Sequence, residues 1–595
     1  MGAMTSPMSW QGCAPSALVW ILLLATNVSG ARAPQESEAG SSRVLRANVV
    51  QVQEQDSGSA TPDVSEAAAP PTAKEPQPPE TPRYRFLDEA VTLFDDWRSS
   101  GHVEALTLGP SYGGREIFAV QFGAAGDRAL SERTSVFLVG GLDGVSVSGS
   151  ETVIRLVSKL LESAERLPPE MAFVAIPWAN PDGLARWMET GCGGGRNDRP
   201  VDDDRDGRMD EDRADDVDGD GQVLEMLIED GAGGWVHGPD KRVLRPAKVG
   251  QAPRYVRTRE GEDEDGDGLY NEDEAGGVVT DHNFPVDWRG PWSGVSSGAL
   301  PMSEKSTRAI VDLARRRRCA VFLAFQGNHG WLASPGGLAS AESFVQASDV
   351  EAYSFLLDTY RKGTKRTQVE LPTQRIARGY ERPGTAIDWF YRALGSMSAE
   401  LAVWGIGAMG EEGVAEREGF ENTEEAWARY FDETRGGKGF VPWQPYDLAG
   451  GQKALVGGWE RNTCINPVPE SLSQLVSGLD EFCISLAKGL PQLAFEIVDK
   501  SENGRVRQLR ARVRNHGLLP SGVGPGGERF GTKVRVLLPP GVELLAGDEE
   551  VLLGHVPGQG TSPTFSWLFS APEGTLFEFV VESRWCPPVK VGERL

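Results

Sequence analysis

Three short stretches of this 595-residue sequence repeat the pattern Asp-x-Asp-x-Asp-Gly, which places carboxylate oxygens at alternate positions around a tight turn. The stretch that begins at Asp263 also has asparagine at its ninth position and glutamate at its twelfth, which completes the pattern of a calcium-binding loop. Oxygen ligands at this spacing suit a hard divalent cation, so we expect calcium; the alternative is a solvated acidic loop without metal. The expected ligands are Asp263, Asp265, Asp267, Asn271 and Glu274 in that loop, and Asp202, Asp204, Asp206, Asp210, Asp216, Asp218 and Asp220 in the other two.

A second set of polar residues follows Val136–Val139, an apolar run typical of a buried strand. Three glycines then predict a tight loop, and apolar residues at helical spacing predict a helix from Thr152. In strand-loop-helix units the catalytic groups lie on the loop beyond the carboxyl end of the strand. Here that loop carries Asp143 and Ser146 and contains no histidine.

The elements around this loop alternate between strand and helix, which predicts an α/β fold with a mixed sheet flanked by helices. Toward the C-terminus, short β-type runs separated by turn residues predict an immunoglobulin-like β-sandwich. The expected strands of the first region are 117–122, 136–139, 171–176, 320–325 and 397–403, and its expected helices are 87–97, 152–160, 303–313 and 385–394.

The N-terminal part of the chain has the pattern of an export signal followed by a linker. An apolar core at Leu18–Ala25 and small residues before position 34 predict a signal peptide over 1–33, with an uncleaved anchor as the alternative. The Pro-, Ala- and Glu-rich residues 34–82 predict a disordered linker. We therefore expect a secreted, periplasmic or cell-surface protein. No later apolar run is long enough to span a bilayer.

The net charge of −26 is concentrated in one part of the sequence. Residues 198–230 hold fifteen acidic residues and four arginines, and residues 262–274 hold eight acidic residues. This local excess argues against nucleic-acid binding and for bound cations. Six cysteines, one of them in the predicted signal peptide, leave an odd number in an exported chain, which allows at most two disulfides.

A series of landmarks in fixed order resembles the M14 family of zinc carboxypeptidases. After the glycine loop come the NPDG turn at 180–183, the NFP segment at 283–285, PMSEKSTRA at 301–309 and GTAIDWFYRALGSMSAEL at 384–401. The resemblance implies a carboxypeptidase-like domain over 83–490, interrupted by the acidic insertion 198–275 and followed by the sandwich at 491–595.

The resemblance also assigns roles to individual positions. The family's three zinc ligands fall on Asp143, Ser146 and Gln326, and the pair that holds a substrate's C-terminal carboxylate falls on Asp281 and His282. The general base falls on Glu400, and the substrate-contacting tyrosine and arginine fall on Tyr380 and Arg196. Zinc is thus a family expectation, although serine and glutamine are poor zinc ligands.

These observations leave three functional hypotheses open. The first is an exported, catalytically degenerate carboxypeptidase-like protein that binds a peptide or cell-wall peptide. The second is an active metallocarboxypeptidase with atypical zinc ligands. The third is a calcium-stabilised surface or structural protein.

Overall fold

The computed structural model describes residues 83–99, 103–191, 195–203, 207–264, 266, 268–271, 273–293, 296–327, 332–336, 344–366, 369–370, 382–405, 424–460 and 465–595. The predicted signal peptide and linker lie outside the described residues, and so does Tyr380. Four of the predicted calcium ligands also lie outside them, namely Asp204, Asp206, Asp265 and Asp267.

An eight-stranded mixed sheet forms the centre of the α/β region, in the order β1-β2-β4-β3-β9-β12-β10-β11. Its middle strands β4, β3, β9 and β12 run parallel to one another, whereas β1 and β2 are antiparallel additions at one edge. The strands that precede the C-terminal sandwich are β1 (Val103–Pro110), β2 (Glu116–Phe122), β3 (Thr134–Gly140), β4 (Met171–Ile176), β5 (Glu225–Glu229), β6 (Trp235–His237), β7 (Leu244–Pro246), β8 (Tyr255–Arg259), β9 (Arg318–Phe325), β10 (Leu332–Ala333), β11 (Val369–Glu370), β12 (Met397–Leu401), β13 (Phe440–Asp447) and β14 (Lys453–Trp459).

Helices cover both faces of the central sheet. Val136 and Leu138 of β3 pack into one apolar core, and Phe137 and Val139 pack into the core on the opposite face. This two-sided burial explains why β3 is a continuous apolar run rather than an alternating one. The predicted α/β fold with a mixed sheet flanked by helices is therefore confirmed. The helices are α1 (Leu87–Ser99), α2 (Val147–Glu162), α3 (Pro181–Thr190), α4 (Lys305–Arg316), α5 (Val350–Thr364), α6 (Ala386–Trp389), which continues as a π-turn over Phe390–Leu394, α7 (Glu424–Arg435), α8 (Leu472–Leu475) and α9 (Leu479–Lys488).

Helix α2 begins at Val147 and not at Thr152, so the predicted start was wrong. The carboxylate of Asp143 accepts hydrogen bonds from the backbone N–H groups of Val145 and Ser146, at 3.2 and 3.0 Å. A side-chain acceptor at this point satisfies donors that the helix leaves unpaired, which allows the helix to start earlier. Ser146 consequently lies at the N-cap, directly above the edge of the sheet.

The acidic insertion contains a sheet as well as loops, which the sequence pattern did not reveal. Strands β5 to β8 of the insertion join β13 and β14 in an antiparallel six-stranded sheet, in the order β13-β14-β5-β8-β6-β7. Met226 and Ile228 are buried on one face of β5, and Leu227 is buried on the other. The insertion thus forms small apolar cores together with β13 and β14.

The C-terminal region consists of two four-stranded antiparallel sheets, consistent with the predicted sandwich. A short helix, α10 (Gly524–Arg529), packs against the π-turn of the α/β region. The sandwich strands are β15 (Leu493–Asn503), β16 (Val506–Asn515), β17 (Thr532–Leu537), β18 (Glu543–Ala546), β19 (Glu550–Gly554), β20 (Phe565–Ser570), β21 (Leu576–Glu582) and β22 (Val589–Arg594).

The three cysteines in the described residues, Cys319, Cys483 and Cys586, are buried and unpaired. Within the expected limit of two disulfides, only a pairing of Cys192 with Cys464 is left for the predicted mature chain, and both lie outside the described residues. In the part of the chain that the structure covers, no helix combines the length and the apolar character needed to cross a bilayer.

Candidate functional site

The carboxyl ends of three neighbouring strands bring the predicted zinc positions and Glu400 together. Asp143 and Ser146 lie on the loop after β3, and Gln326 directly follows β9. Glu400 lies on β12 and is paired in register with Ala324 of β9. Because these strands are parallel, their ends meet at one edge of the sheet.

The three zinc positions are hydrogen-bonded to one another and to the backbone. The hydroxyl of Ser146 donates to Asp143 Oδ2 at 2.6 Å and accepts from the N–H of Gly327 at 2.8 Å. The N–H of Asp143 donates to Gln326 Oε1 at 3.0 Å. Both carboxylate oxygens of Asp143 also accept backbone N–H groups. The polar atoms that face the family's metal position are thus already engaged.

The amide nitrogen of Gln326 connects this group to two buried carboxylates. Nε2 donates to Asp281 Oδ2 at 2.6 Å and lies 3.3 Å from Glu400 Oε2. The other oxygen of Asp281 accepts the N–H of Ala386 at 3.0 Å, at the start of α6. Gln326, Asp281 and Glu400 are each about 1 % exposed, so these contacts form in a low-dielectric environment.

An arginine that the sequence pattern did not single out completes the network. The guanidinium of Arg382 donates from one nitrogen to Glu400 Oε2 and from the other to Asp281 Oδ2, the latter at 2.7 Å. Its side chain is 22 % exposed, so the cation lies at the outer side of the buried carboxylates. In the sequence, Arg382 lies between Tyr380 and the predicted helix, and this position alone does not mark it as functional.

Burial and the neighbouring charges shift the pKa values of Asp281, His282 and Arg382. Burial raises the pKa of Asp281 to about 6, against the opposing effect of Arg382. Burial lowers the pKa of His282 to about 4, and the nearby Arg382 lowers it further. Burial also lowers the pKa of Arg382, but the charges of Glu400 and Asp281 outweigh it and raise that pKa above its ordinary value. The guanidinium therefore stays charged.

These donors do not fit a catalytic zinc ion. Zinc requires three imidazole or carboxylate ligands with an open position for water. Gln326 presents its NH₂ group to the carboxylates, Ser146 offers a neutral hydroxyl, and Asp143 alone is an adequate ligand. A fixed positive charge, Arg382, is already paired with Glu400 and Asp281.

His282 and Arg196, the other predicted substrate-contacting residues, make their hydrogen bonds to groups outside this network. His282 Nδ1 lies 2.9 Å from the carbonyl oxygen of Pro383, a contact that holds the loop before α6. Arg196 forms an ion pair with Asp203 of the acidic insertion and lies 3.3 Å from the carbonyl oxygen of Gly276. In the described part of the chain the arginine is thus committed to the insertion.

Among the predicted calcium loops, the one at 216–221 is described in full. Carboxylate oxygens of Asp216, Asp218 and Asp220 lie within 4.8 Å of one another and are exposed. In all three loops the first aspartate accepts a hydrogen bond from the N–H of the sixth-position glycine, at 2.8 to 3.1 Å. The three loops thus share this hydrogen bond.

The remaining predicted calcium ligands have protein partners. Glu274 pairs with Arg259 at 3.3 Å, and Asn271 Nδ2 donates to the carbonyl oxygen of Arg259 at 2.9 Å. Asp210 accepts the N–H of Gly276 at 2.9 Å.

Two buried acids outside the predicted set also organise the loops. Glu260 accepts three backbone N–H groups, and Asp273 accepts those of residues 203 and 210. Their positions outside the repeat explain why the sequence did not indicate them.

Comparison with known proteins gives one family for the α/β region and another for the sandwich. A family model described as zinc carboxypeptidase, Peptidase_M14, matches residues 96–426, more than half of the chain. A model of a domain of unknown function, DUF8731, matches residues 492–587.

Several solved structures are similar to the chain at low identity. Bovine thrombin-activatable fibrinolysis inhibitor, in complex with a tick carboxypeptidase inhibitor, is 12 % identical with a TM-score of 0.38, over 68 % of this chain and 96 % of that one. Carboxypeptidase A from Helicoverpa armigera is 12 % identical with a TM-score of 0.37, over 68 % and 73 % of the two chains. A metallo-carboxypeptidase from Burkholderia cenocepacia is 11 % identical with a TM-score of 0.27, over 53 % and 60 %.

Proposed function

Because the chain belongs to the M14 family of zinc carboxypeptidases, we propose that it is an exported member that has lost hydrolysis and acts by binding a peptide or cell-wall peptide. In this proposal residues 1–33 are a signal peptide and 34–82 a linker. Residues 83–490 form the carboxypeptidase-like domain with the insertion 198–275, and residues 491–595 form a separate β-sandwich domain.

The observation that supports loss of hydrolysis is the ion pair between Arg382 and Glu400, together with the amide contact from Gln326. A general base must be free to take a proton from water, and the metal must lower the pKa of that water from about 15.7 to about 7. Glu400 is instead held by a permanent cation, and the residues at the metal positions are a poor zinc set. General-base assistance alone supplies only about 10²–10⁴-fold.

The charge of Asp281 also affects which part of a peptide ligand the protein can recognise. Asp281 stands where the family has a group that attracts a C-terminal carboxylate, and a carboxylate there would meet a negative charge. We therefore propose that a bound peptide is recognised through its backbone and side chains rather than through its C-terminus.

Zinc content and peptide hydrolysis test the proposal together. We expect less than one zinc in ten protein molecules after dialysis, and no release of C-terminal residues from a panel of free and blocked peptides. Glu400→Gln is the matched variant, because it removes the base with little change in volume. Stoichiometric zinc with cleavage that Glu400→Gln abolishes would establish the second hypothesis, an active metallocarboxypeptidase with atypical ligands.

Calcium is a separate proposal, favoured by the converging carboxylates of Asp216, Asp218 and Asp220 and by the hydrogen bond from the sixth-position glycine to the first aspartate that the three loops share. We propose that these loops bind calcium with the weak affinity of extracellular modules, roughly 10⁻⁴–10⁻³ M. If calcium stabilises the protein and no peptide binds, the third hypothesis, a calcium-stabilised surface protein, is the correct one.

A further inference from the structure

A surface pocket of about 310 Å³ lies where the α/β region meets the sandwich. Arg318, the first residue of β9, lines it from one side, and Phe530, Lys533 and Arg584 line it from the sandwich. Gln326 follows the opposite end of β9, roughly 23 Å away at about 3.3 Å per residue. The pocket is therefore distinct from the Glu400 site.

The pocket concentrates arginines without carboxylate partners. Among the described residues, no acidic side chain lies within ion-pair distance of Arg318, Arg529 or Arg584. The guanidinium carbons of Arg584 and Arg529 lie 5.0 and 5.5 Å from the centre of the Phe530 ring. Two cations thus flank one aromatic ring that is itself 37 % exposed.

Burial makes this arrangement costly in the absence of an anion. It lowers the pKa values of both Arg318 and Arg584. The neighbouring Arg128 and Arg315 act in the same direction, whereas the charge of Glu132 opposes the shift at Arg318. Arginines that are half-buried and close to other cations are usually paired with carboxylates, because an unpaired charge loses hydration without compensation.

The acidic residues nearby do not cancel the positive charge. Glu582 also lines the pocket, but it pairs with Lys533 at 3.4 Å and with Arg535 at 2.5 Å, and Glu550 pairs with Lys533 at 3.0 Å. These contacts account for the lysine. The charge of Glu132 offsets part of that of Arg318, but in the described part of the chain no carboxylate forms an ion pair with Arg318 or Arg584.

Structural roles explain only part of the cluster. Arg315 and Arg316 lie in the last turn of α4, where cations are favoured by the helix dipole. Arg318 donates to the carbonyl oxygens of Ser583 and Cys586, at 3.1 and 3.0 Å, and so ties the sandwich to the sheet. Neither of these two roles explains why Arg584 also lies at this junction.

We propose that this pocket binds a phosphate-type oxyanion, held by Arg584 and Arg318, with Arg529 nearby against the ring of Phe530. Guanidinium groups match the oxygens of phosphate with paired N–H donors, and several cations approaching from different elements suit a tetrahedral anion. The phosphate can be free in solution or carried by a lipid headgroup, since the chemistry recognised is the same. The site is independent of the function proposed for Glu400.

Two measurements on the full chain at low ionic strength test this inference. The first is calorimetric titration with inorganic phosphate. The second is co-sedimentation with phosphatidylglycerol vesicles, with phosphatidylcholine vesicles as the neutral reference. Heat without sedimentation indicates a soluble phosphate, and sedimentation with the anionic vesicles indicates a lipid headgroup. Because the whole chain carries a net charge of −26, general attraction to anions does not produce either result.

Arg584→Gln is expected to weaken the binding about tenfold or more, because it removes a charge-assisted hydrogen bond. Arg510 is an exposed arginine on β16, in the other sheet of the sandwich. Arg510→Gln is therefore the matched control and should leave binding unchanged. Arg529 is exposed, so Arg529→Gln provides a second variant if Arg584→Gln fails to fold. Arg529→Gln should weaken binding by a smaller factor than Arg584→Gln. The absence of saturable binding in both assays would overturn the proposal, and so would equal affinity in wild type and the Arg529 and Arg584 variants.

Discussion

Arg382 donates a hydrogen bond to Glu400, so a permanent cation lies against the carboxylate that the sequence predicts to be the family's general base. The same guanidinium contacts Asp281, and Gln326 contacts both acids. At this edge of the sheet a side chain of the protein itself supplies a positive charge to both acids. The edge of the sheet is consequently organised by hydrogen bonds among residues that are far apart in sequence.

Replacing Arg382 by methionine should destabilise the fold by about 3–5 kcal/mol, because it leaves Asp281 and Glu400 as neighbouring buried acids without a counter-ion. Urea unfolding measures the change. The matched control is Arg392→Met, whose side chain is 43 % exposed and lies 3.8 Å from Asp287, and which should cost less than about 1 kcal/mol. Equal effects in the two variants would show that the network contributes nothing specific.

Restoring the family's ligands should restore zinc binding only when Arg382 is also removed. We expect Asp143→His, Ser146→Glu and Gln326→His together to bind much less than one zinc per chain, because the guanidinium still occupies the carboxylates beside the site. Addition of Arg382→Ala should raise the content to about one. Elemental analysis after dialysis gives the ratio. Full zinc occupancy in the triple variant alone would contradict the role assigned to Arg382.

Calcium should raise the midpoint of thermal unfolding relative to a chelator. At about ten times the Kd, one site contributes about 1.4 kcal/mol. Asp218→Asn keeps an oxygen for the N–H of Asp220 and removes only charge, so it should reduce this gain. Glu229→Gln, an exposed acid at the end of β5, serves as the control. A midpoint that is the same with calcium and with chelator would leave only the solvated-loop interpretation.

Gly526→Ala should destabilise the protein by about 1–3 kcal/mol, as is typical of overpacking. A Cβ at this position would lie 2.3 Å from the backbone nitrogen of Gly395 and 2.8 Å from the carbonyl carbon of Leu394. Gly234→Ala is the matched control, because the space around its Cβ is open. Thermal unfolding compares the two. A stable Gly526→Ala protein would mean that α10 moves away from the π-turn without cost.

The sequence by itself determined the α/β order, the position of the loop after β3 and the family, because apolar runs, glycine turns and a fixed series of short motifs are local features. It also placed Asp143, Gln326 and Glu400 correctly on the edge of the sheet, since parallel strands must end together. The repeated aspartate pattern indicated the loops of the insertion for the same local reason.

Only the tertiary structure decided what the residues of the site do to one another. Arg382, Asp281 and Glu400 are separated by up to 119 residues, and no local pattern shows that a cation from one loop will contact carboxylates from two others. The unpaired arginines at the sandwich junction depend likewise on β9, α10 and the residues after β21 meeting in space. Charge pairing is a property of distance and burial, and both are fixed by the packing of the whole chain rather than by spacing along it.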